Sequence, residues 1–179
     1  MVIALAGRRV DAPKAEVERF PQENVSRVRS RIFDWLERHG VDTLVCSAAC
    51  GADLLALDAA GELGIRRRIV LPFPREQFRA SSVVDRGDEW GAHFDAILDV
   101  VTARGDVFVL GYRPENETAY LATNRTILEL AISTGTRLDR RVGAVVVWDG
   151  VSRGADDVTK AFQEEAHERG LTVEEISTL

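Results

Sequence analysis

The stretch Thr43-Leu-Val-Cys-Ser-Ala-Ala-Cys-Gly-Ala-Asp-Leu-Leu-Ala-Leu-Asp58 decides the fold. Its opening apolar run, Leu44, Val45 and Cys46, suits a buried strand, and the small residues from Ser47 to Ala52 break that run. A helix then opens around Gly51. Small side chains at a strand-to-helix turn let a ligand approach the backbone. The unpaired amides of the first helical turn, together with the helix dipole, favour an anion such as a phosphate. Asp53 sits oddly in such a turn, because a carboxylate repels a phosphate beside it. It either bonds a ribose hydroxyl or a base edge, or it caps the helix. A nucleotide-type ligand reconciles the turn with the acid.

Outward from this unit the same alternation repeats. Val2 to Ala6 reads as a first strand with Gly7 to Asp11 as its exit loop. From Pro21 to His39 the apolar positions Val25, Val28, Ile32, Trp35 and Leu36 follow the helical period, and Gly40 stops the helix. A third strand near Ile65 to Leu71 ends abruptly at Pro72-Phe73-Pro74. Trp90, Phe94, Ile97, Leu98 and Val101 form an amphipathic helix with its aromatics inward, followed by a strand at Val107 to Leu110 and a helix from Thr118 to Ser133. Val142 to Trp148 is the most hydrophobic strand. A helix presenting Val158, Phe162 and Ala166, then a strand at Leu171 to Ile176, close the chain. Strands separated by helices of this length predict an α/β, Rossmann-like three-layer sandwich: a mostly parallel sheet with helices on both faces. With no repeats or linkers, residues 1–179 read as one domain.

At 179 residues and 45% hydrophobic content the chain can bury a substantial core. A net charge of -6 disfavours duplex DNA as a partner, since that needs a basic footprint. No run reaches membrane-spanning length, and the apolar N-terminal run is too short for a signal peptide. Cys46 and Cys50, with three histidines, do not form a zinc-ligand pattern, so no metal and no cofactor are expected. Cys50 reads as a small filler, and a reducing cytoplasm is the expected compartment. The cluster Arg66-Arg67-Arg68 falls at a strand start, opposite the ligand edge, and reads as a solvated surface feature.

In open sheets of this kind ligands sit beyond the carboxyl ends of the strands. The exit loops are rich in glycine, arginine and carboxylate. They supply the candidates Gly7, Arg8, Arg9 and Asp11; Ser47, Gly51 and Asp53; Pro72, Arg75 and Glu76; and Asp149, Gly150 and Gly154. Asp156 and Asp157 read as helix-start charges. Asn124 and Arg125 join the candidates, because Asn124 lies four after Tyr120 and just before Ile127 and Leu128, which turns its amide inward where it needs partners.

Four of these stretches together resemble the SLOG superfamily, a Rossmann-like group that includes the Smf-type DNA-processing proteins and the Lonely-guy phosphoribohydrolases. Gly7-Arg8-Arg9-Val10-Asp11 is similar to its first-strand loop, with Arg8 where histidine is common. Ser47 to Asp53 resembles its small-residue-Gly-x-Asp phosphate loop. Leu71-Pro-Phe-Pro-Arg75-Glu76-Gln-Phe78 looks like a segment of stand-alone and multidomain bacterial members. Trp148-Asp149-Gly150 with Gly154-Ala155-Asp156-Asp157 is similar to their ending, with Arg153 and Ala155 where glycine and threonine are usual. The resemblance implies a nucleotide-binding fold over almost the whole chain. The Pro-Gly-Gly-x-Gly-Thr-x-x-Glu loop of the hydrolytic branch is not in this sequence.

Three functions follow as expectations. The first is a module that binds a nucleotide or nucleotide-derived small molecule and acts as a sensor on an effector partner or a second copy, with a helix face bearing Trp35 or Trp90 as a pairing surface. The second is an N-glycosidic hydrolase or transferase with Asp53, Glu76 or Asp149 as its acid. The third is single-stranded DNA binding by analogy with the DNA-processing relatives, against which the acidic balance and 7% aromatic content count.

Overall fold

The apolar runs lie side by side as one six-stranded, all-parallel sheet in the computed structural model, which describes residues Met1–Leu179. The strands are β1 (Val2–Gly7), β2 (Thr43–Cys46), β3 (Arg66–Leu71), β4 (Val107–Val109), β5 (Val142–Trp148) and β6 (Thr172–Ser177). The helices are α1 (Val25–Arg38), α2 (Ala52–Glu62), α3 (Arg75–Ser82), α4 (Glu89–Ala103), α5 (Ala119–Leu138) and α6 (Val158–Glu168). The spatial order β4-β3-β2-β1-β5-β6 shows how the chain winds. It moves outward from β1 to β4, and α5 then carries it back to lay β5 against the other side of β1. Between β1 and β5 the order reverses, so their exit loops run to opposite sides.

Strand alternation assigns the two faces. Ile3, Leu5, Leu44, Cys46, Ile69, Leu71, Val145 and Val147 pack with α1, α2 and α4, whereas Val2, Ala4, Val45, Val70, Ala144 and Val146 pack with α5 and α6. Because both faces are covered, these strands read as near-continuous apolar runs. Fully burying one such side chain contributes about 1.5–3 kcal/mol. The helix stop at Gly40 is as expected, with a left-handed φ of +56° just beyond α1.

Helix α5 runs past its expected end at Ser133 to Leu138. Gly135 does not stop it but serves packing: a Cβ there would stand 2.1 Å from Val142 Cγ2, so the glycine lets α5 press onto the start of β5. The stop comes instead from Asp139, left-handed at φ +52°.

The arginine cluster also departs from expectation. Arg66 makes a two-pronged contact with Asp106 (2.8 Å to each oxygen). Arg68 is buried, donating to Asp106 and Thr134 with its guanidinium 4.8 Å from the Phe108 ring centroid. It anchors β3 to β4 and α5 rather than facing solvent. Trp35 and Trp90 are buried in the chain's own core, so neither is an open face for a second copy. No helix is long and apolar enough to cross a membrane.

Candidate functional site

Beyond the carboxyl ends of β1 and β2 lies a cavity of about 480 Å³. Its walls come from elements that the sheet order brings together: the β1 exit loop, the Ser47–Asp53 turn, the end of α3, and the first turns of α5 and α6.

The β1 exit begins with Gly7, where a Cβ would stand 2.5 Å from Ala52 Cβ and 2.6 Å from the Val147 carbonyl oxygen. Only a glycine lets β1, α2 and β5 meet so closely. Arg8 then turns inward and is 3% exposed. Its Nε donates to Asp149 (3.0 Å), its terminal nitrogens donate to both oxygens of Asp157 (2.6 and 2.9 Å) and to the Val151 carbonyl (2.7 Å), and it lies 5.4 Å from the Trp148 ring centroid. This brace closes the fork between the β1 and β5 loops. Asp157 also caps α6, accepting from the amides of Thr159 and Lys160, and takes the Arg153 amide as well. Burial pushes its pKa up, but the Arg8 guanidinium and those amides outweigh it and hold the carboxyl down at about 2.

Asp11 accepts from the amides of Arg19 (2.8 Å) and Phe20 (2.9 Å), pinning the base of the loop that follows. Ala12, Ala15 and Val17 of that loop overhang the cavity, and Val17 is 59% exposed. Arg19 reaches the other way, to Asp149 (2.7 Å) and the Val151 carbonyl (2.9 Å).

At the start of α2, Gly51 adopts φ +97°, and a Cβ there would meet the Val10 amide nitrogen at 2.7 Å and the Arg8 carbonyl oxygen at 2.8 Å. The β1 loop backbone therefore lies directly on the turn. It accepts the Ala52 amide at the Arg8 carbonyl (3.1 Å), and the Leu54 amide goes to the Ala49 carbonyl (3.3 Å). The Asp53 amide takes no protein acceptor. The helix end is thus partly closed by its own chain, which the small-residue pattern did not foretell.

Asp53 forms part of the cavity wall while only 7% exposed. Its Oδ2 accepts the Ala49 amide (3.2 Å), and its Oδ1 takes no protein donor. Burial pushes its pKa up to about 7, against the opposing pull of the Ala49 amide and the Arg9 charge. Arg9 itself donates to the Asp85 carboxylate and to Cys50 Sγ (3.4 Å). Cys50 is buried, and burial raises its thiol pKa, which fits a filler and not a nucleophile.

The opposite wall belongs to α5. Tyr120, Thr123, Asn124 and Ile127 fall on one stripe at helical spacing and face the cavity. Asn124 is buried and donates Nδ2 to the Val158 carbonyl (2.8 Å), tying α5 to α6 while its Oδ1 has no protein donor. Tyr120 holds its hydroxyl 3.0 Å from Ser82 Oγ and packs edge-on against Phe73.

Two further arginines complete the wall. Arg153 is exposed and has neither a hydrogen bond from its guanidinium nor an acid within ion-pairing distance; burial of part of its side chain and the nearby charge of Arg8 lower its pKa. Arg86 is half-buried, and its Nε is enclosed without a hydrogen-bond acceptor, 3.7 Å from Asp85 Oδ2.

Of the residues singled out from sequence, Gly7, Arg8, Arg9, Asp11, Ser47, Asp53 and Asn124 converge on this cavity. The others stand apart. Gly51 lies beneath the β1 loop. Pro72 is buried at the end of β3, and Arg75 turns onto α4 to pair with Asp95 and Asp99, leaving Glu76 exposed beside it. Arg125 pairs with Glu165 on the helix surface. Asp149 is enclosed by Arg8 and Arg19, and Gly150 and Gly154 shape the loop behind that brace. Sequence reasoning missed Arg19, Arg86, Tyr120 and Thr123. Helical spacing from Asn124 could have found the last two, and Arg153, read only as a departure from the motif, was missed as a cavity residue as well.

Chemically the cavity combines guanidinium groups, backbone polarity and one buried carboxyl at the carboxyl edge of the sheet. No group of three or more His, Cys, Asp or Glu side chains is placed to hold a metal ion. The chain matches no family model and no curated protein sequence.

Proposed function

We propose that the chain binds a nucleotide or nucleotide-derived small molecule in this cavity, as a sensor or regulatory module. The observation that carries the reading is the convergence of arginines, small-residue backbone and a buried carboxyl in one space of about 480 Å³. That volume falls within the range of small-molecule sites, roughly 300–1,000 Å³. Its position at the carboxyl edge, next to the point where strand order reverses, is where open α/β sheets take ligands. The likeness of the Ser47–Asp53 turn and the β1 loop to SLOG-type sequences supports the same ligand class.

Mass spectrometry of small molecules released from the purified, denatured chain, followed by isothermal titration with the compound found and with adenine and guanine nucleotides, tests it. A nucleotide derivative that co-purifies and titrates with micromolar or tighter affinity is the expected result. A chain that releases nothing and gives no heat with any of them refutes it.

One observation favours the second reading, cleavage or transfer at an N-glycosidic bond. Of the three candidate acids, Asp53 alone lines the cavity, and its pKa of about 7 suits a group that both gives and takes a proton near neutrality. Release of free base from nucleoside monophosphates, abolished in Asp53→Asn, would promote this reading over simple binding.

A further inference from the structure

The burial of each polar group in the cavity wall and its partners point to how a ligand lies there. Asp53 is the most buried carboxyl of the cavity wall, 7% exposed, and its Oδ1 has no protein donor. Beside it the α2 terminus has little to offer an anion. The Ala52 and Leu54 amides are already taken by the Arg8 and Ala49 carbonyls, the β1 loop fills the space where a Cβ at Gly51 would stand, and the one free amide of the first turn, that of Asp53, sits beside its own carboxylate. The groups that would welcome an anion are more exposed. Arg153 is exposed and without an acid partner, and Arg86 is half-buried, its Nε without a hydrogen-bond acceptor and 3.7 Å from Asp85 Oδ2. The other guanidiniums are engaged: Arg8 with Asp149 and Asp157, Arg19 with Asp149, and Arg9 with Asp85.

We infer that the ligand is a phosphorylated sugar or nucleotide that enters sugar first, giving a hydroxyl to Asp53 at the floor and leaving its phosphate at the mouth on Arg86 and Arg153. This orientation is the reverse of a phosphate seated on the α2 terminus. An open carboxylate oxygen accepts a hydroxyl proton and repels a phosphate, and a guanidinium does the opposite. The inference rests on the nucleotide-binding reading and adds to it which end is read by which residue.

The test uses the full chain and isothermal titration with matched probes: adenosine 5′-monophosphate, its 2′-deoxy and 3′-deoxy analogues, and adenosine. In the unmodified chain, removing the hydroxyl that meets Asp53 should weaken binding about tenfold or more, the cost of an unanswered charged acceptor. In Asp53→Asn that ratio should fall below about threefold. In Arg153→Gln, at an exposed position, the phosphorylated probe should weaken about fivefold or more, while adenosine and the ribo-to-deoxy ratio stay unchanged. Thermal unfolding of each variant confirms that it is folded.

The orientation is overturned if the ribo and both deoxy probes bind the unmodified chain equally, if Asp53→Asn tightens the phosphorylated probe alone, or if Arg153→Gln weakens adenosine as much as its phosphate. If no probe binds and the denatured chain releases no nucleotide derivative, the nucleotide reading on which it rests is removed instead.

Discussion

Asp53 and Gly51 show what single residues impose on this site. A carboxyl raised from its ordinary value to about 7 binds its proton more tightly in the folded chain than in the unfolded one. Its contribution to stability is therefore complete below about pH 4 and is lost as pH rises through about 7, on the order of 4 kcal/mol across that window. Chemical denaturation of Asp53→Asn at a series of pH values should show this slope removed; an unchanged slope would place the titration elsewhere. A hydroxyl donor prefers the ionised carboxylate, so ligand affinity should rise over the same window in the unmodified chain and not in the variant. Gly51 faces a different constraint, a left-handed φ together with the β1 loop backbone at 2.7 Å. Gly51→Ala should cost about 1–3 kcal/mol from backbone strain, with the overlap adding to it, read as a lowered denaturation midpoint.

Among the elements, α5 best separates what sequence shows from what it hides. The sheet was legible because parallel strands covered on both faces appear as unbroken apolar runs, and Val142 to Trp148 is the plainest of them. The end of α5 was not legible, because Gly135 signals a stop locally while packing against Val142 keeps the helix going. Gly135→Ala should gain in helix propensity and still lose about 1–3 kcal/mol to overpacking; pairing it with Val142→Ala should recover most of the loss in a double-mutant cycle. The site was legible in part for the same kind of reason. The β1 and β2 loops show their roles locally, in glycines and small residues. The loops after β3 and β5 carry equally suggestive charges that find partners far along the chain, as Arg75 does on α4 and Asp149 does in Arg8. Arg86, in a short 3₁₀ turn after α3, belongs to no strand exit at all.

Across the whole molecule the Arg8 brace joins the first strand to the last third of the chain. Removing one partner from a buried pair leaves a charge unanswered. Asp157→Ala should therefore cost about 3–5 kcal/mol, whereas Arg75→Ala, at a half-exposed pair, should cost about 1 kcal/mol or less. Urea unfolding of the two variants side by side checks the contrast. Because Asp157 is held at about 2 when folded, its stabilisation is present above about pH 4 and disappears as pH falls through about 2. The brace also has a consequence for biosynthesis. Arg8 leaves the ribosome long before its acceptors Asp149, Val151 and Asp157. Until they emerge, the nascent polypeptide carries an unanswered guanidinium just past the end of β1, so the walls built from the β1 and β5 exits cannot close while residues 9 to 148 are being made.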